Sequence, residues 1–151
     1  MDKIDNSILD LLQENARIAN SDIAKKLNMA PSAIWERIKK LEEKNIIKKY
    51  SVVIDPKAMD LNILAFVTIN IDSANWSQKL STKILSITNI EELHEVIGED
   101  SYLAKVRAKN MYELSDILKN KIGIIPEVKA TKTTIAINSL KENSLYQTTK
   151  S

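Results

Sequence analysis

The sequence predicts an α+β protein of two small domains in series, a mainly helical domain over residues 1–55 and a βαββαβ domain over residues 63–140. The main observation is a change of hydrophobic period. Apolar residues recur at helical spacing in the first 45 residues and alternate from Ile63 onward. The second observation is Pro56, which breaks the extended segment before it because proline cannot donate to a strand ladder. We therefore predict a linker over residues 56–62 and a frayed polar tail over residues 141–151.

Three helices are predicted in the first domain. Asp2 is placed to cap the first helix, and a second, shorter helix is predicted from Asn20 to Leu27. Pro31 opens the third, because its fixed φ suits the first position of a helix. Their apolar stripes are Ile4, Ile8, Leu11 and Leu12; Ile23, Ala24 and Leu27; and Ile34, Ile38 and Leu41.

The second and third helices are separated by the tight break Asn28-Met29-Ala30. Two helices joined by a three-residue turn, with the second helix basic, form the helix-turn-helix pattern. The residues from Ile46 to Ile54 are predicted to be extended and would supply a wing. The first domain is therefore predicted to be a winged helix-turn-helix.

The second domain is predicted to be a ferredoxin-like βαββαβ fold. In the first strand, Ile63 to Ile71, the odd-numbered side chains face one side and the even-numbered ones the other. The next two strands, Leu93 to Ile97 and Tyr102 to Val106, flank a turn at Gly98. The last strand runs from Val128 to Ile137. The helices are marked by Trp76, Leu80, Ile84 and Ile87, and by Met111, Leu114, Leu118 and Ile122 before Gly123.

The composition excludes several classes of function. With no cysteine there is no disulfide, thiol nucleophile or zinc knuckle, and the two glycines cannot form a glycine-rich phosphate loop. His94 is the single histidine, so a packing or interface role is favoured over catalysis. We predict no catalytic residue, metal site or cofactor. Because glycine is so scarce, we expect the left-handed backbone positions to be taken by Asn28, Asn45 and Asn62.

The excess of positive charge lies in one stretch of the chain. Residues 25–57 carry nine basic and four acidic side chains, whereas residues 1–24 carry two basic and five acidic ones and the rest is balanced. A basic stretch of this kind is typical of nucleic-acid contact. A solvated helix face explains the charge alone equally well, but the helix-turn-helix pattern favours double-stranded DNA.

The predicted DNA contacts lie on the third helix and just after it. Side chains at its N-terminus and outer face can reach base edges, whereas basic side chains beside them reach phosphates. Trp35 either lies on a sugar or thymine methyl or packs against the first helix, and Glu36 is expected to pair with Lys40. Base-edge contacts are assigned to Ser32, Ala33, Trp35, Glu36 and Lys39. Phosphate contacts are assigned to Arg37, Lys40, Lys44, Lys48 and Lys49.

Three stretches carry a resemblance to a known family. They are residues 4–56, the segment VIGEDSYLAKVRA over residues 96–108, and the segment IPEVKATKTTIAI over residues 125–137. They resemble the DNA-binding half, the effector loop and the closing strand of the Lrp/AsnC transcriptional regulators. Members of that family usually have glycine where Asn28 and Asn45 stand, serine in place of Ala30 and aspartate in place of Ser101.

The turn at Gly98 has two interpretations. From its spacing alone, Gly98-Glu99-Asp100-Ser101 is more simply a β-turn. The resemblance instead implies an effector loop, in which Asp100 and backbone amides would hold the charged ends of an amino acid. The effector site implied in this way comprises Gly98, Glu99, Asp100, Ser101 and Tyr102, with Thr131 and Thr133 lining the cleft.

The leading hypothesis is therefore a sequence-specific DNA-binding transcriptional regulator controlled by a small molecule, an amino acid, bound between subunits. We expect a homo-oligomer, a dimer at least and more readily a tetramer or octamer, because both helices of a βαββαβ unit cover the same sheet face. One alternative is a constitutive architectural DNA-binding protein, and another is a small ferredoxin-like enzyme. No signal peptide or membrane segment is recognised, so a cytoplasmic location without membrane contact is expected.

Overall fold

The structure, a computed structural model, describes residues 1–72, 78–98 and 101–142. It divides into two compact units, Met1–Val53 and Ile54–Leu140. Each unit has its own hydrophobic core.

The first unit contains the three predicted helices, α1 (Lys3–Glu14), α2 (Asn20–Leu27) and α3 (Pro31–Glu43). Asp2 caps α1 as expected and forms a reciprocal capping box with Asp5. Ala30 is the N-cap of α3 and gives no side-chain hydrogen bond to it. The core of this unit consists of Ile8, Ile23, Ala24, Ile34, Ile38 and Leu41.

Left-handed backbone occurs at two of the three predicted asparagines. Asn28 ends α2 with a φ of 56°, and Asn45 follows α3 with a φ of 54°. The prediction for Asn62 is wrong, because Asp60 takes the third left-handed position with a φ of 59°. Asp60 ends a short 3-10 helix, Pro56–Met59, which Asp55 caps by accepting from the Lys57 amide. This helix occupies the first part of the predicted linker, residues 56–62.

The strand predicted from Ile46 to Ile54 does not form. These residues run without regular secondary structure, and Val52, Val53 and Ile54 are exposed. A strand needs a neighbour to receive its backbone hydrogen bonds, and among the described residues of the first unit there is no strand to serve as one.

The second unit has the predicted βαββαβ order. Its elements are β1 (Ile63–Ile71), α4 (Gln78–Leu85), β2 (Ile90–Glu95), β3 (Tyr102–Ala108), α5 (Met111–Asp116) and β4 (Val128–Ala136). A π-helical segment, Ile117–Ile122, continues α5. The four strands form an antiparallel sheet in the order β2-β3-β1-β4. Trp76, which we expected near the start of the first of these helices, lies outside the described residues.

The second strand lies earlier in the chain than predicted. We expected Leu93 to Ile97, whereas β2 begins at Ile90 and ends at Glu95. The pairing of β2 with β3 shifts register between Ile90 and Glu92. This irregularity interrupts the simple alternation of apolar and polar side chains from which the strand was predicted.

The two faces of the sheet differ in their cover. Ala65, Val67 and Ile69 of β1 are fully buried in the core with Leu80 and Ile84 of α4. We call the opposite side the open face; it carries Leu64, Phe66 and Thr68 of β1, Leu103, Lys105 and Arg107 of β3, and Lys132 and Thr134 of β4. Among the described residues, none of the helices has both the length and the apolar character needed to cross a membrane.

Candidate nucleic-acid interface and effector site

The outer surface of α3 presents the predicted DNA contacts to solvent. Ser32, Trp35, Glu36, Lys39 and Lys40 are exposed, as are Lys44, Lys48 and Lys49 after the helix. Ala33 and Arg37 are half-buried. The buried stripe Ile34, Ile38 and Leu41 fixes this orientation, because it packs α3 against the other two helices.

Arg37 is held by two carboxylates at the start of α1. Its Nη1 lies 2.7 Å from Asp2 Oδ2 and 2.7 Å from Asp5 Oδ1. The remaining oxygens of these two carboxylates accept from each other's backbone amides in the capping box. All four oxygens are therefore engaged, and α3 is tied at mid-length to the first turn of α1. We call this arrangement the Arg37 clamp.

The clamp shifts the pKa values of Asp2 and Arg37. The backbone hydrogen bond from Asp5 and the side-chain hydrogen bond from Arg37 lower the pKa of Asp2. The pKa of Arg37 is raised, first by the hydrogen bond to Asp2 and then by the one to Asp5. Both shifts favour the charged pair. Arg37 was predicted to contact phosphate, and its two acidic partners were not predicted, although the Asp2-x-x-Asp5 spacing of a capping box is present in the sequence.

Trp35 and Lys39 form a pair on another flank of α3. The Lys39 Nζ lies 5.3 Å from the centroid of the Trp35 ring and 3.8 Å from Glu43 Oε1. Trp35 also lines a groove of about 540 Å³, together with residues of α1, the α1–α2 turn and Tyr50.

Tyr50 fastens the irregular segment to α3. Its hydroxyl donates to Glu42 Oε1 at 2.9 Å. Burial, followed by the hydrogen bond to Glu42, raises the pKa of Tyr50 to about 12. The contact between Tyr50 and Glu42 was not predicted, because no helical or alternating pattern in the sequence relates these two residues.

The predicted effector loop lies between β2 and β3, and the structure describes part of it. Gly98 has a φ of 152°, a backbone angle that residues with a side chain rarely adopt. A Cβ atom added at this position would meet no other atom within 4 Å. Glycine is therefore required by backbone conformation and not by lack of space. Glu99 and Asp100 lie outside the described residues.

Ser101 and Tyr102 are engaged within the fold. The Ser101 amide donates to the Ile69 carbonyl at 3.1 Å, and its hydroxyl accepts from the Ile71 amide at 3.4 Å. Tyr102 is buried in the core and is 3% exposed, so its ring is part of the packing. Tyr102 is therefore a packing residue and does not offer its side chain to an effector.

The two threonines of the candidate effector site lie in register with this end of the sheet. Ile69 pairs with Tyr102 on one side and with Thr131 on the other, and Val67 pairs with Thr133. Thr131 is exposed and Thr133 half-buried. The fold therefore brings Thr131 into one cross-strand row with Tyr102, although the two are distant in sequence.

His94 lies on the open face of β2, opposite Leu103, with its Nε2 at 3.3 Å from Glu92 Oε2. The hydrogen bonds from His94 and Lys105 lower the pKa of Glu92. In the part of the chain that the structure describes, no three acidic or histidine side chains are grouped as metal ligands.

Comparison with known proteins decides the family. Residues 1–48 match the family model for winged helix-turn-helix DNA-binding domains, and residues 64–146 match the Lrp/AsnC ligand binding domain. The second match covers more than half of the 151 residues. The chain belongs to the Lrp/AsnC family. It is a DNA-binding transcriptional regulator and not an enzyme.

Curated relatives of this Lrp/AsnC regulator match over nearly its whole length. The HTH-type transcriptional regulator FL11 of Pyrococcus furiosus is 35% identical, over 95% of this chain and 94% of the relative. The leucine-responsive regulatory protein of Escherichia coli is 29% identical, over 95% of this chain and 89% of the relative. The resemblance inferred from three stretches is thereby confirmed.

Solved structures agree on the fold. The AsnC protein of Escherichia coli superimposes with a TM-score of 0.90 at 28% identity, covering 96% of this chain and 97% of that one. A transcriptional regulator of Neisseria meningitidis in complex with L-Met has a TM-score of 0.90 at 23% identity, covering 95% and 94%. The predicted α+β class and the pairing of a winged helix-turn-helix with a ferredoxin-like domain are confirmed.

Proposed function

We propose that this regulator reads DNA through α3, as an oligomer, under the control of an amino acid. The observation that supports the first part is the outer face of α3, where exposed polar and charged side chains surround Trp35 while the opposite face of the helix packs into the core of the first unit. Ser32, Ala33, Glu36 and Lys39 are proposed to meet base edges, with the Trp35 ring beside the Lys39 ammonium. Lys40, Lys44, Lys48 and Lys49 are proposed to meet phosphates.

Arg37 is given a different role from the one first considered. Its guanidinium already bridges Asp2 and Asp5, and its side chain is 29% exposed. A phosphate would have to compete with two carboxylates for it. We therefore propose that Arg37 orients α3 and that the neighbouring lysines supply the phosphate contacts.

The oligomer is proposed to form through the open face. Phe66 is 38% exposed there, and Leu103 lies in the neighbouring strand. Both helices of the unit pack on the opposite face of the sheet, as the βαββαβ order requires. A second copy of the chain can therefore cover the open face. A two-fold dimer would also present two copies of α3 to two half-sites of DNA.

The effector is proposed to be a free amino acid held at the Gly98 turn. The ligand-binding domain match supports an effector in general, and the L-Met complex of the Neisseria protein supports the chemical class. Asp100 would receive the α-ammonium, while backbone amides of the turn and Thr131 and Thr133 would complete the site. We place the protein in the cytoplasm, because a regulator of transcription acts where the DNA is.

The DNA assignment is tested by four alanine variants and by selection of bound duplexes from a random pool. K40A and K49A should weaken binding to every duplex alike, and each should reduce the salt slope by roughly one phosphate contact. S32A and K39A should instead change which duplex is preferred. Equal behaviour of all four variants would contradict the division into base and phosphate contacts. A wild-type protein that prefers no duplex would be an architectural protein.

The effector assignment is tested by thermal-shift screening with the twenty amino acids. A ligand at a hundred times its dissociation constant adds about 2.7 kcal/mol to stability, which is readily detected. G98V should abolish the shift, because valine cannot adopt a φ of 152° without strain. The K40A variant serves as control and should keep it. If no amino acid stabilises the wild-type protein, it acts as a constitutive regulator.

A further inference from the structure

One ridge of α3 carries an aromatic ring, a cation and a carboxylate in succession. Trp35, Lys39 and Glu43 are four residues apart, so they lie along one line of the helix surface. The Lys39 ammonium is 5.3 Å from the centre of the Trp35 ring and 3.8 Å from Glu43 Oε1. Although 55% of its side chain is exposed, Lys39 is held between two neighbours on its own helix.

Trp35 is more exposed than packing alone would require. It is 54% exposed, whereas the neighbouring stripe residue Ile34 is fully buried. One side of Trp35 borders the groove beside Leu12 and Ala16, and its ring face meets the Lys39 ammonium. If Trp35 served only to pack α3 against α1, its ring would not need an exposed face in contact with the Lys39 ammonium.

We propose that Trp35 is a positioning residue that directs the Lys39 ammonium at a guanine in the major groove. This inference rests on the proposed function, in which Lys39 reads a base edge. The ring face attracts the ammonium without neutralising it, whereas Glu43 draws it along the helix toward the C-terminus. Contact with Trp35 restricts the rotamers of a flexible side chain before DNA arrives. Guanine fits, because its O6 and N7 are two acceptors at the groove edge.

A double-mutant cycle on the full-length protein tests the proposal. The four proteins are wild type, W35L, K39M and W35L/K39M, and the probes are the duplex selected by wild type and its single-base variants. W35L should reduce discrimination at one guanine about two- to fivefold, and K39M should reduce it more at the same guanine. In the K39M background W35L should have no further effect. W35F should restore most of the discrimination, and E43Q should increase binding.

The controls separate this inference from the proposed function and from misfolding. Melting curves should show W35L and W35F equally folded, so their difference in DNA discrimination reports on the ring. If the losses of W35L and K39M simply add, or if W35L acts at a different base pair, Trp35 does not position Lys39 and the inference fails while the proposed function stands. If wild type discriminates between no duplexes, the proposed function itself fails.

Discussion

Ala30 is the N-cap residue of α3, and its side chain cannot form the hydrogen bond that usually stabilises the start of a helix. It occupies the N-cap of α3 in an extended conformation, with a φ of −75° and a ψ of 141° that a capping serine also adopts. No side chain there accepts from the first-turn amides of α3. The Lrp/AsnC resemblance had pointed to this position, because serine is usual there.

Replacing Ala30 by serine should stabilise the first unit. The new hydroxyl can accept from the Ser32 or Ala33 amide, so A30S should raise the free energy of unfolding by about 0.5–2 kcal/mol. Chemical denaturation followed by circular dichroism measures the change. A33S adds the same hydroxyl within the first turn, where serine is slightly less favourable than alanine, and should not stabilise. Equal midpoints for A30S and wild type would show that α3 gains nothing from a cap.

Variants of the Arg37 clamp can show whether Arg37 positions α3 or contacts a phosphate. If Arg37 positions α3, then R37Q and D5N should weaken DNA binding to similar extents and leave the salt slope unchanged. If Arg37 contacts a phosphate, R37Q should reduce the slope by about one contact, whereas D5N should strengthen binding by removing a negative charge. Gel-shift titrations at several salt concentrations distinguish these outcomes.

The clamp should also depend on pH at the acid end. The pKa of Asp2 in the folded protein is lowered below its ordinary 3.8, so the folded state releases this proton more readily than the unfolded chain. The resulting stability is present above that ordinary value and is lost as pH falls through the folded pKa. Melting curves between pH 5 and pH 2 should show the difference between wild type and R37Q shrinking. A difference that stays constant would exclude the ion pairs as its source.

Left-handed positions show what sequence could and could not predict at the residue scale. Scarce glycine correctly pointed to Asn28 and Asn45, since each follows a helix whose end the hydrophobic stripe predicts. It failed at Asn62, because Asp60 ends the 3-10 helix Pro56–Met59, and nothing in the apolar pattern predicts that helix. The Arg37 clamp was likewise missed, because it joins residues 35 positions apart.

At the scale of elements, the segment after α3 is restrained by Tyr50. Y50F removes the hydrogen bond to Glu42 and should loosen residues 46–55, which are not in a helix or strand. Trypsin should therefore cut after Lys48 and Lys49 several times faster in Y50F than in wild type, because cleavage follows local opening. E42Q, which replaces the negative acceptor by a weaker one, should give an intermediate rate. Unchanged cleavage in Y50F would show that the segment is restrained elsewhere.

Periodicity predicted the elements that pack on one face of a core. The bounds of α2 and β1 agree with the prediction to the residue. Apolar side chains mark both ends of β1, and the last apolar residue of the α2 stripe, Leu27, marks the end of that helix. Periodicity failed for residues 46–54. Their β-branched side chains suit a strand, but the described part of the first unit offers no strand with which they could pair. The start of β2 was predicted at Leu93, three residues after its actual start at Ile90, because the register change near Ile90 disturbs the alternation.

For the whole molecule, assembly should depend on the open face. F66E places a carboxylate opposite Lys105, which Glu91 and Glu92 already bind, so the new charge would be buried without a cation of its own. It should weaken the dimer by at least about a hundredfold in dissociation constant. Ile135 is the matched control, since it lies on the helix side of β4 and is 39% exposed against 38% for Phe66. I135E should leave the dimer intact. Light scattering with size-exclusion chromatography measures both, and a dimer that survives F66E would place the interface elsewhere.

The two units can fold at different times during synthesis on the ribosome, because their contacts span different lengths of the chain. The core of the first unit joins residues from Ile8 to Leu41, so it can close as soon as α3 has emerged. In the sheet, β1 pairs with β4, and Leu64 meets Ala136, so the central strand lacks one neighbour until almost the whole chain is made. Translation adds about 5–20 residues per second, and local contacts form far faster than that. A folded DNA reader therefore exists for seconds before the unit that is proposed to pair and regulate it.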